Sequence, residues 1–165
     1  RLNLTAIPRR YTVEPGKSLA DQWAPATSGA YDLWVLGPNG FHRHFTGNAK
    51  RVAAAAQPNP EVEAHYHPAT GELELRLANR GAMPCTFTLT ANKYYTKSLT
   101  QVVPAKGEQR IMIALGESAY WYDFSVKVKG QTDYSRRLAG HMETGAPSFS
   151  DPALGGTAVA DQYKV

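Results

Sequence analysis

The chain has 165 residues, 42% of them apolar and 19% charged, which suits one ordinary domain or two small ones. Its 18 Lys and Arg against 14 Asp and Glu leave a net charge of +4. That excess is mild and scattered, with no RNA-binding motif around the aromatic residues, so nucleic acid is excluded as a partner. No stretch approaches the roughly 18 apolar residues of a membrane-spanning helix.

In chain order, residues 2–6 alternate weakly and read as a strand. Residues 11–13 lead into a Pro15-Gly16 turn, residues 19–24 read as a second weak strand, and 25–29 as a loop. A β-hairpin follows over residues 31–46: Tyr31-Asp32-Leu33-Trp34-Val35, a break at Gly37-Pro38-Asn39-Gly40, and a return beginning at Phe41. Alanine-rich residues 51–56 predict one helical turn, broken by Gln57-Pro58-Asn59-Pro60. Beyond it, residues 62–67 read as a strand and 68–71 as a turn. Leu73, Leu75 and Leu77 then alternate with Glu74 and Arg76, giving one apolar and one wet face. Asn79-Arg80-Gly81 turns the chain. Phe87 and Leu89, Val102-Val103, residues 111–115, 124–128 and 134–138 complete about seven strands in this half. Without a helix of useful length, two packed antiparallel sheets are the simplest way to bury such faces. Leu75, Phe124 and Val126 are assigned to the core by their alternation with polar neighbours. Cys85, the single cysteine, opens an apolar strand and is expected to be a buried, inert thiol.

The pattern is stated twice. Tyr31-Asp32-Leu33-Trp34-Val35 matches Tyr122-Asp123-Phe124-Ser125-Val126, and the return Phe41-His42-Arg43-His44-Phe45-Thr46-Gly47 matches Tyr134-Ser135-Arg136-Arg137-Leu138-Ala139-Gly140. Upstream, Leu4-Thr5-Ala6 resembles Leu89-Thr90-Ala91, and Val13-Glu14-Pro15-Gly16-Lys17 resembles the stretch from Val102 to Gly107. Internal repetition of this kind sets the architecture. It predicts an all-β chain of antiparallel immunoglobulin-like β-sandwich modules in tandem. Residues 1–56 form a partial first repeat, 57–145 a complete second repeat, and 146–165 a tail. The first repeat lacks counterparts of residues 62–67 and 73–79; another chain or an upstream domain supplies them, or the first module lies against the second. A dimer through the truncated repeat is one form of the former. The chain opens on Arg1 in strand-like sequence and is read as a fragment or processed product. Residues 153–165, notably Ala158-Val159-Ala160, are expected to run back along the first module and cover its open edge or its Trp34 face.

Tyr31-Asp32-Leu33, Gly37-Pro38-Asn39-Gly40-Phe41 and Phe45-Thr46-Gly47 resemble one repeat of the C-terminal domain of bacterial phosphocholine-type phospholipases C. Leu73-Glu74-Leu75-Arg76-Leu77-Ala78-Asn79, Trp121-Tyr122-Asp123 and the unusual string from Arg136 to Pro152 resemble its terminal repeat. The resemblance implies a secreted or periplasmic parent that hydrolyses phosphatidylcholine-type lipids, with nucleophile and metal ligands in a catalytic domain upstream. It implies a non-catalytic role for this chain: positioning on membrane or substrate, or packing on the catalytic domain. The alternative is a purely structural or protein-interaction sandwich.

Read from the residues alone, no catalytic constellation is present. There is no Gly-x-Ser-x-Gly, phosphate loop or His-Glu-x-x-His, and no cofactor is expected. His42/His44 and His65/His67 each put two imidazoles on one side of a strand, but neither pair has the further ligands of a zinc site, so solvent-facing histidines are the expectation. The Tyr-Asp pairs read as structural: a tyrosine bonding back to a nearby loop, and an aspartate pairing with an Arg or Lys next door. Trp34 and Leu36 align with Ser125 and Lys127, so apolar residues stand where the sister repeat is polar. Packing against the other module or the tail is preferred there over a lipid or partner surface. Trp34, Leu36, Phe41 and Trp121 are the candidates for membrane or partner contact.

Overall fold

A computed structural model describes residues 7–52, 56–96 and 98–155. The first hairpin pairs β1 (Ala30–Leu36) with β2 (His42–Asn48) through the Gly37–Gly40 break. A single helical turn, α1 (Ala49–Val52), follows directly, beginning at Ala49 rather than Arg51. Seven strands make up the second repeat: β3 (Pro60–His67), β4 (Glu72–Asn79), β5 (Cys85–Lys93), β6 (Ser98–Val103), β7 (Glu108–Ala114), β8 (Trp121–Val128) and β9 (Gln131–His141). All pairings are antiparallel; β3-β4-β7 form one sheet, and the other runs β1-β2-β9-β8-β5-β6.

Period-two alternation places the core as read. Leu73, Leu75 and Leu77 from β4 meet Phe87 and Leu89 from β5, Phe124 and Val126 from β8, and Leu138 from β9. Cys85 is 1% exposed in this core, and burial pushes its thiol up to about 12.

The first hairpin extends the sheet of the second repeat. β2 lies beside β9 with His44 opposite Arg137, and these two residues are equivalent in the repeat. The hairpins β1-β2 and β8-β9 are therefore related by a local two-fold axis passing between them. Within each, the tyrosine faces a glycine: Tyr31 opposite Gly47, Tyr122 opposite Gly140. A Cβ on Gly47 would fall 2.3 Å from the Tyr31 hydroxyl, so only glycine admits the ring there.

The axis is fastened by a reciprocal exchange. Arg43 of the first repeat donates to the Tyr122 hydroxyl (2.9 Å) and the Ala139 carbonyl (2.8 Å) of the second. Arg136 of the second donates to the Tyr31 hydroxyl (2.9 Å) and the Thr46 carbonyl (2.8 Å) of the first, and its Nε reaches Glu61 at 3.0 Å. The tyrosines thus bond to the opposite repeat's arginine, where a nearby loop was expected, because edge-to-edge docking brings those guanidinium groups beneath the rings.

Residues 19–24 carry no strand, contrary to the alternation reading. Residues 7–25 are an exposed arm that turns at Pro15-Gly16, where the Lys17 amide bonds the Glu14 carbonyl at 3.0 Å. Arg9 and Tyr11 close the arm on Asp21, and Arg9 lies 4.1 Å over the Trp23 ring. The strand expected over residues 2–6 and the segment Ala158-Val159-Ala160 lie outside the described residues. The described part of the tail runs toward β5 and β8: Trp121 Nε1 donates to the Phe149 carbonyl (3.0 Å) and the Tyr94 hydroxyl to Asp151 (2.6 Å).

Candidate functional site

The outer face of the six-stranded sheet, away from the core, is where the repeats differ in chemistry. Its rows follow from register. Trp34, His44, Arg137 and Ser125 lie side by side, with Leu36, His42, Ala139 and Asp123 in the next row. In the second repeat this face is conventional. Asp123 takes a two-pronged contact from Arg137 (2.9 and 2.6 Å) and an amide bond from Asn92 (2.8 Å). Burial alone would raise the Asp123 carboxyl; the guanidinium and amide outweigh it and hold the group below the usual carboxylate range.

The first repeat fills the equivalent positions with rings. Asp32 accepts from Trp34 Nε1 (2.9 Å) and contacts His44 Nε2 (2.7 Å), so histidine stands where the sister aspartate meets arginine. Trp34 covers both histidines, with ring centroids 4.9 Å from His42 and 4.3 Å from His44. These rings are therefore partly buried rather than fully solvent-facing, since the indole lies across them. Burial, with Arg137 nearby, lowers the His42 pKa and favours its neutral form. The other pair is closer to expectation: His65 is exposed beside Glu63, and His67 reaches Glu74 at 3.1 Å. Among the described residues no group of three or more His, Cys, Asp or Glu is placed to hold a metal ion.

At the end of the hairpin the chain closes on itself. Asn39 donates to Glu143 (2.7 Å), which also contacts His141 Nδ1 (3.1 Å), and the Trp121 ring lies tilted against His141 with centroids 4.8 Å apart. Gly40, at φ +68°, lets Trp121 approach so closely that a Cβ would sit 2.8 Å from the indole. These contacts tie the unusual Arg136-to-Pro152 string to the first repeat's turn.

The family described as bacterial phospholipase C, C-terminal domain, matches residues 1–48 and again 60–141. The chain belongs to that family. It is similar to the non-hemolytic phospholipase C of Pseudomonas aeruginosa, at 42% identity over 150 residues, covering 90% of this chain and 22% of the relative. A non-hemolytic phospholipase C of Burkholderia pseudomallei shares 43% over 150 residues, covering 89% and 21%. The hemolytic phospholipase C of Pseudomonas aeruginosa shares 39% over 163 residues, covering 89% and 22%. The domain therefore spans about a fifth of the length of these relatives. No helix among its described residues is long and apolar enough to cross a membrane.

The four residues singled out from the sequence do not act alike in the domain. Trp34 and Leu36 lie on the outer face, 45% and 73% exposed. Trp121 shares that face but is pinned between Gly40 and His141. Phe41 packs on the other side, 4.2 Å beneath the Arg43 guanidinium, and is half-buried. The strand pattern gave no hint of Phe149, 56% exposed on the tail that Trp121 anchors; nothing periodic surrounds it. Arg43 and Arg136 were also missed as joining residues, since each looks like a charged position in a return strand until the repeats are paired.

Proposed function

We propose that this domain is the non-catalytic C-terminal module of a secreted phospholipase C, and that its outer face seats the enzyme on a phospholipid surface. Its catalytic domain precedes it in the parent, and the parent acts on phosphatidylcholine-type lipids. One observation carries the reading. Trp34 and Leu36 are exposed on the outer face where the sister repeat, with strands on both sides, holds Ser125 and solvent-facing Lys127. A neighbouring strand beside β1 would extend the sheet sideways and leave this face open. Indole and leucine side chains suit the boundary between headgroups and acyl chains. The sister repeat forms the same hairpin with serine and lysine at these positions, while in the first repeat Trp34 also packs on His42 and His44 and bonds Asp32.

The test is co-sedimentation with phosphatidylcholine vesicles. The native domain should sediment with the vesicles, and a Trp34→Ser/Leu36→Lys variant, which installs the sister residues, should stay in the supernatant with an unchanged circular dichroism spectrum. Absence of native binding, or equal binding by the variant, refutes the lipid reading and favours packing on the catalytic domain. The same preparation should turn over no phosphocholine ester with or without zinc or calcium.

A further inference from the structure

The inner face of the first hairpin is a core face without the sheet that should lie over it. In the second repeat β8 presents Tyr122, Phe124 and Val126 to β3-β4-β7, and all three are buried. Their first-repeat equivalents are Tyr31, Leu33 and Val35. Val35 is 48% exposed where Val126 is 0%. The difference follows from topology. β7 hydrogen-bonds only to β4, and β4 also to β3. Residues 19–24 stand before β1 as β7 stands before β8, yet they form no ladder and leave Leu19 and Trp23 exposed. Residues 7–18 form no ladder either, and the segments Leu4-Thr5-Ala6 and Val13-Glu14-Pro15-Gly16-Lys17 resemble parts of β5 and the end of β6 with the turn after it, not β3 or β4.

From this we infer that the inner face of β1-β2 is a docking surface for an antiparallel strand pair equivalent to β3-β4, supplied by the parent polypeptide ahead of residue 1. Residues 19–24 are the third strand of the sheet so formed. The occupant's chemistry is set by the sister: alternating apolar residues in the manner of Leu73, Leu75 and Leu77, directed at Leu33 and Val35. Two arguments select this occupant over a second copy of the chain. In any copy β3 and β4 are already committed to their own sandwich. The relatives also contain far more polypeptide than the fifth of their length that this chain matches. Docking converts the exposed arm into sheet and closes a sandwich on each side of the two-fold axis.

Hydrogen exchange, comparing this chain with the full-length parent, tests the inference. Amides of residues 19–24 should exchange rapidly in the isolated chain and slow by about a hundredfold or more in the parent, as hydrogen-bonded strands do. Equal, rapid exchange in both overturns the inference. A companion variant, Val35→Lys, should leave the melting temperature of the isolated chain unchanged and lower that of the parent; no effect in the parent counts against it. If the isolated chain dimerises in sedimentation velocity and dimerisation alone protects residues 31–35, the occupant is a second copy and the inference fails. The outer-face variant used with vesicles leaves Leu33 and Val35 untouched, so the two readings fail separately.

Discussion

Replacing Glu61 by Gln should destabilise the chain more than replacing Arg136 by Met, although Arg136 makes more bonds. The Arg136 side chain is 5% exposed, whereas that of Glu61 is 37% exposed. Burial works against the charged guanidinium, and the Glu61 carboxylate is the first of the contacts that keep it charged. Glu61→Gln strands a buried cation. The cost lies near the low end of the roughly 3–5 kcal/mol expected for a broken buried pair, because the new amide oxygen still accepts a bond. Arg136→Met removes the buried charge itself, and the carboxylate left behind is reached by water. What remains is the lost bonding of the Tyr31 hydroxyl and of the Thr46 and Ser135 carbonyls, about 1–2 kcal/mol. Methionine keeps contact with the Phe45 and Tyr134 rings that flank the guanidinium at 5.4 and 4.3 Å. Urea denaturation gives the two values. Amide exchange in β2 shows whether the loss falls on the junction, since Arg136 joins β9 to both strands of the first hairpin. Equal stability of Glu61→Gln and the native chain, or a clearly larger cost for Arg136→Met, refutes the account of a desolvated cation held by its counter-charge.

Leu75, 0% exposed at the centre of β4, should cost about 2–5 kcal/mol when truncated to alanine, through lost burial and a residual cavity; an unchanged denaturation midpoint would contradict its place in the core. Asp123 supplies the pH dependence. Its folded-state pKa is depressed, so its stabilisation is fully present above the unfolded value of about 3.9 and is lost as pH falls through the folded value. Midpoints measured from neutral pH down to about pH 2 should show Asp123→Asn less stable at neutrality and flatter on the acid side. A native-like acid slope in that variant would assign the dependence to other carboxylates.

The strands of the second repeat were legible in the sequence because one face of each sheet is wet, and a period-two alternation survives wherever that holds. Leu73, Leu75 and Leu77 needed no partner to declare their face. The Tyr31 and Tyr122 hairpins were legible for a different reason, since the chain contains its own comparison. The same reasoning failed at residues 19–24: alternation records a strand's propensity, while a strand exists only when a ladder partner is beside it, and among the described residues no counterpart of β4 stands beside them. Nor did the sequence reveal how the repeats meet. Only the tertiary structure decided that the hairpins join edge to edge about a two-fold axis, and that joining turned Arg43 and Arg136 from surface-like charges into buried fastenings under the opposite repeat's tyrosine. The outer face divides in the same way. The substitution of Trp34 for Ser125 was visible by alignment of the repeats. Its packing on His42 and His44, and the burial of Phe41 beneath Arg43, depended on cross-strand register and on which side of the sheet each ring falls, quantities set by contacts distant in sequence.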